Sequence, residues 1–170
     1  MERPAAGQQE SGASAEDAGA PAEYAGCPGT RTSEDAMSHP IMFEDDNPHL
    51  AEVRRLCLAL PQAVEKISHG RPAFFTRKMF AVFGGSVKGD HSSDRYADSL
   101  LFVPEPEERP ALEQDSRFFL PAYLGAWGWL GLDFRDSEVD WQEVAELVES
   151  SFRQTAPREL VAELDAQLGG

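Results

Sequence analysis

Helical periodicity appears only at the two ends of the folding part of this chain. Between those ends lie short, aromatic-rich runs broken by Gly and Pro. Leu50, Val53, Leu56, Cys57 and Leu60 recur at helical spacing behind Asp46 or Asn47 as N-cap, with Pro48 at the first helical position. Pro61 ends that helix. Strand-like runs follow at Val64 to Ser68, at Ala73 to Thr76 and at Lys78 to Phe83, the last two reading as a hairpin, with Gly70-Arg71-Pro72 as a turn. Residues 84–97 are rich in Gly, Ser and Asp and read as a mobile loop. Ser99 to Val103 is a further strand, a short helix is expected from Pro110, and Phe118 to Leu124 is apolar but interrupted by Pro121. Trp127 to Phe134 reads as the last strand. Asp140 through Glu143 matches a capping box before the apolar stripe Val144, Leu147, Val148 and Phe152. Thr155-Ala156-Pro157 starts a final helix with Leu160, Leu164 and Leu168 inward. The fold class expected from this order is α+β, an antiparallel sheet with helices packed on one face.

Composition divides the chain into a tail over residues 1–45 and a domain over 46–170. The tail is rich in Ala, Gly, Ser, Pro and Glu and has few large apolar side chains, so it cannot offset the entropy of ordering and is expected to be disordered. Through Asp46 it holds ten acidic residues against two basic ones, and the whole chain carries a net charge of −15. Such a chain is repelled at long range by polyanions and suits cationic protein partners. Cys27 in the tail and Cys57 in the first helix form neither a disulfide framework nor a metal signature, and Cys57 reads as a buried small hydrophobe. No secretory leader and no membrane span are expected, so the chain is expected in the cytoplasm; it is also expected to be a monomer.

Leu60-Pro61, Gly70-Arg71-Pro72, Lys78-Met79-Phe80-Ala81, Gly128-Trp129-Leu130, Asp140-Trp141 and the run from Ser150 to Pro157 occur in an order that resembles the MmcQ/YjbR family. The resemblance covers residues 47–168. It implies a frataxin-like (CyaY-like) α+β fold and a DNA-binding label. Many members of that family carry a His-Trp pair near the late strand. Here the comparable stretch is Ala126-Trp127-Gly128-Trp129, without the histidine, so no role tied to it carries over.

Charge polarity gives DNA contact its support. Residues 54–95 hold eight basic against three acidic side chains, whereas residues 96–170 hold five against sixteen. Arg71, Arg77, Lys78 and Lys88, nearest the hairpin turns, are the candidate phosphate contacts; the alternative is a solvated surface that happens to be basic. Trp127 and Trp129 alternate with Leu130, Leu132 and Phe134, which would put both indoles on the open sheet face, with Gly125, Gly128 and Gly131 leaving room for a ligand. His69 and Arg71 would anchor that ligand; the alternative is that Phe118, Phe119 and Tyr123 fill the face as a second small core. Ser68 and His69 are adjacent, point to opposite sides of a strand and form no nucleophile–base pair. The loop residues Asp90, His91, Asp94 and Asp98 have hard-ligand spacing that could hold a divalent cation weakly but match no EF-hand pattern, and the acidic clusters at Glu105–Glu108 and Asp136–Asp140 read as solvated helix starts. The expectation is a binding domain that is not an enzyme and has no cofactor or metal. It contacts DNA through the basic hairpins or, alternatively, a small ligand or protein partner through the tryptophan face.

Overall fold

The computed structural model describes residues 39–170. The expectation of disorder therefore lies outside the described residues up to residue 38. Six strands form one antiparallel sheet in the order β1-β2-β3-β4-β6-β5, with β1 at Val64–Ser68, β2 at Arg71–Phe75, β3 at Met79–Phe83, β4 at Ser99–Phe102, β5 at Phe118–Phe119 and β6 at Leu130–Asp133. The helices are α1 (Pro48–Leu58), the single turn α2 (Arg109–Leu112), α3 (Trp141–Thr155) and α4 (Arg158–Leu168). This is an α+β fold. No helix among the described residues is long and apolar enough to cross a membrane.

The caps explain where the long helices begin. Asn47 Oδ1 accepts from His49 N at 2.8 Å and Leu50 N at 3.2 Å, ahead of Pro48, whose missing N–H costs nothing there. Asp140 caps α3 through Gln142 N and Glu143 N. The capping-box glutamate is diverted: Glu143 accepts from Arg117 Nη1 and Nη2 at 2.7 and 3.1 Å, tying the start of α3 to the segment before β5. In α4, which starts after Pro157 rather than at Thr155, Leu160 and Leu164 are buried but Leu168 is 62% exposed, so the inward stripe ends one turn earlier than its spacing suggests.

The β2–β3 hairpin contains a bulge. Phe74 pairs with Ala81 and Phe75 with Met79, so Phe80 is the extra residue. Phe80 and Ala81 both join the core beneath the helices, which holds Leu50, Val53, Phe74, Phe83, Leu100, Phe102, Leu130, Leu132, Val144, Val148 and Phe152. The bulge also disturbs the next pair. The β3–β4 register of Ala81↔Phe102 and Val82↔Leu101 would bring Phe80 opposite Val103. In its place the buried Ser151 Oγ donates to the Phe80 carbonyl at 2.5 Å and accepts from Val103 N at 2.8 Å. One hydroxyl of α3 thus fills the gap in the ladder and satisfies two backbone groups that could not otherwise be buried.

The sheet's other face carries a smaller core of Ala73, Val82, Leu101 and Trp129, against which Phe75, Met79, Val103, Phe119 and Leu124 pack. The chain between β5 and β6 covers part of this face. It includes a 3₁₀ turn at Leu124–Trp127, closed by Gly128 in the left-handed region at φ 92°. The expected strand from Trp127 is therefore shorter and starts at Leu130.

Replacing Ser151 with Ala leaves the Phe80 carbonyl and the Val103 amide buried and unpaired. Chemical denaturation should show a loss of about 1–3 kcal/mol for each of these two groups. A loss under about 0.5 kcal/mol would mean that the ladder closes without the hydroxyl.

Candidate functional site

The basic residues singled out by sequence do not converge. Arg77 and Lys78 lie in the turn between β2 and β3, where Thr76 N donates to the Lys78 carbonyl at 3.0 Å. Arg71 and the loop carrying Lys88 lie at the opposite end of β3, whose five residues span roughly 16 Å. Both turn cations are exposed, and Arg77 Nη2 meets Glu159 Oε1 at 3.2 Å.

Arg71 is not on the surface. It is 6% exposed, and burial pulls its guanidinium below the usual arginine range. It opens β2 opposite Ser68, after His69 and Gly70, both with positive φ (50° and 78°). The incoming chain crosses this turn: Met42 N donates to the Gly70 carbonyl at 2.9 Å, and the His39 ring meets the His69 ring edge-on at 4.9 Å. A Cβ on Gly70 would fall 2.1 Å from the Pro40 carbonyl oxygen, so this crossing requires glycine. Arg71 is therefore not the exposed surface cation that the expected DNA contact assumed.

The two tryptophans are not a pair. Trp129 is 7% exposed within the smaller core, whereas Trp127 is 39% exposed in the 3₁₀ turn. Strand alternation does not extend across Gly128, where the backbone turns left-handed. Gly131 is a seat for an aromatic ring rather than ligand space: a Cβ there would lie 2.3 Å from Phe119 Cζ. Phe119 in turn stacks on Tyr96 at 3.6 Å. Phe118 goes instead to the main core, and Tyr123 is exposed, with its hydroxyl 3.0 Å from His91 Nε2. The second small core is thus built by Phe119, Leu124 and Trp129.

The loop after β3 is held at several points. Gly84 N donates to the Ser99 carbonyl at 2.8 Å and Gly85 N to that of Tyr96 at 2.7 Å. Asp90 Oδ1 accepts from Ser92 Oγ, Ser92 N and Ser93 N, and these bonds hold its carboxyl below the ordinary range.

Sequence reasoning did not foresee the ion pairs. Eight arginines of the described chain (Arg54, Arg55, Arg77, Arg95, Arg109, Arg117, Arg135 and Arg153) meet carboxylates, Arg117 bridging Asp115 and Glu143 and Arg95 bridging Asp133 and Asp136. His49 Nδ1 lies 2.7 Å from Asp98 Oδ2. Only the i,i+3 and i,i+4 pairs Glu52–Arg55, Arg109–Glu113 and Glu149–Arg153 have a sequence signal.

The family model for YjbR matches residues 58–154, from the end of α1 through all six strands to α3. The chain belongs to the YjbR family. A solved structure, that of Deinococcus radiodurans protein DR2400 with its DUF419 domain, is similar at 19% identity over 68% of this chain and 87% of that chain, with a TM-score of 0.48. The chain has no match among curated proteins. The YjbR match includes the Arg71 turn, the bulge and Ser151, but not α4.

In single-tryptophan variants made by Trp→Phe replacement, acrylamide should quench Trp127 several-fold more efficiently than Trp129. Equal quenching would put Trp129 on an open face and restore the ligand reading of the pair.

Proposed function

We propose that this YjbR-family domain is a non-catalytic binding module that touches a nucleic-acid backbone weakly and without sequence preference, through Arg77 and Lys78. The state of Arg77 carries this reading. Its partner Glu159 is itself 63% exposed at the side chain, and Arg77 is 77% exposed, so a phosphate can replace the carboxylate at little cost. Lys78 beside it has no carboxylate partner among the described residues and adds a second phosphate contact.

The footprint is small. Residues 39–170 hold 13 basic and 23 acidic side chains, and most of the arginines already face carboxylates. Two contacts at one turn give low affinity, and Lys88, at the other end of β3, adds only to the long-range field. The absence of catalysis is part of the proposal. Its support is that two buried groups of nucleophilic type are committed elsewhere: the Ser151 hydroxyl to the backbone, and the Cys57 thiol to the core, where burial pushes its pKa up. The alternative of a small ligand finds no support at the tryptophans, because Phe119 and Leu124 occupy that face.

A short duplex at low ionic strength should bind with a log affinity against log salt slope near −2. Charge reversal by Arg77→Glu and Lys78→Glu should flatten that slope by about two, while Arg71→Met leaves it unchanged. No detectable binding at roughly 20 mM salt would overturn the proposal.

A further inference from the structure

Of the ten arginines in the described chain, Arg71 is the most buried, and with Arg158 it is one of two without a carboxylate within ion-pair distance among the described residues. Arg158 is exposed and water solvates it. The side-chain hydrogen bonds of Arg71 to the described residues are long: Nη1 to the Met42 carbonyl at 3.4 Å and Nη2 to Ser86 Oγ at 3.5 Å. Both sit at the outer edge of what counts as a hydrogen bond, and a buried charge without strong partners is costly.

The surroundings are shaped to admit the guanidinium. Gly84 has φ +86°, and a Cβ there would lie 2.4 Å from Arg71 Nη1 and 3.0 Å from the Ala97 carbonyl oxygen. Only glycine satisfies both the backbone angle and the close approach. The cationic character continues outward: Lys88 is exposed two residues beyond Ser86. Ser86 is half-buried, so the approach from solvent runs along the start of this loop.

We propose that Arg71 anchors an oxyanion-binding site at this end of the sheet, where a carboxylate or phosphate group is held by the guanidinium fork with help from Ser86 and Lys88. A planar fork with its two outer nitrogens beside a loop backbone and a hydroxyl matches the paired oxygens of such a group. The site is independent of the Arg77–Lys78 turn, which lies at the other end of β3. The oxyanion is that of a free small molecule.

The test uses the full chain and titrates inorganic phosphate, and separately acetate, over roughly 1–50 mM, the range for a millimolar Kd, at constant ionic strength. The readout is the thermal midpoint. A saturable rise should appear with at least one anion. It should vanish in Arg71→Met, weaken about tenfold in Arg71→Lys, which keeps the charge but loses the fork, and persist in Arg77→Glu/Lys78→Glu. Should Arg71→Met fail to fold, Lys88→Glu on the exposed loop replaces it and should weaken the response about threefold. A flat titration with both anions, or an equal response in folded Arg71→Met, would overturn the proposal.

Discussion

One hydroxyl stands where the β3–β4 ladder would have its next rung. The bulge at Phe80 places two successive side chains, Phe80 and Ala81, under the helices, and thereby draws the Phe80 carbonyl away from Val103. Ser151 joins the two groups from α3. The same contact fixes α3 on the sheet, since a hydroxyl bonded to two strands permits little sliding. Beyond the bulge the register is regular, with Val82 facing Leu101 and Leu101 facing Gly131. That register sets Ala73, Val82, Leu101 and Gly131 in a row on the far face, where Phe119 and Trp129 find their places.

This packing covers much of the sheet. The helices cover one face, and the chain around Phe119, Leu124 and Trp129 fills much of the other. The two candidate anion contacts lie at the two ends of β3. At one end, Arg77 and Lys78 are exposed on a tight turn. At the other, Arg71 is enclosed by Gly84, Ser86 and the crossing chain at Met42. A polyanion suits the exposed turn, and a small oxyanion suits the enclosed guanidinium. The ion pairs elsewhere, with Arg117 and Arg95 each bridging two carboxylates, occupy most of the remaining arginines.

Helix starts were legible in sequence because caps are local: Asn47-Pro48 and Asp140 act within three residues of themselves. The aromatic runs of β2 and β3 were legible for the same reason. The bulge was not, because Phe80 and Ala81 differ from a regular alternation only through their partners on β2. The tryptophan pair misled because period two was counted through Gly128, whose left-handed φ breaks the strand. Arg71 was read as a surface cation because its charge predicts exposure. Its burial follows from two distant glycine crossings, Pro40 over Gly70 and the guanidinium beside Gly84, that no window of sequence contains.

The central claim is that the two ends of β3 are separate anion contacts of different kinds. Amide chemical-shift mapping of the isotope-labelled full chain tests it directly, with inorganic phosphate and then a short oligonucleotide as the titrants. The account predicts phosphate-induced shifts at residues 69–71 and 84–88, and oligonucleotide-induced shifts at residues 76–79. Coincident shifts from both titrants at one end, or shifts at neither, would contradict it.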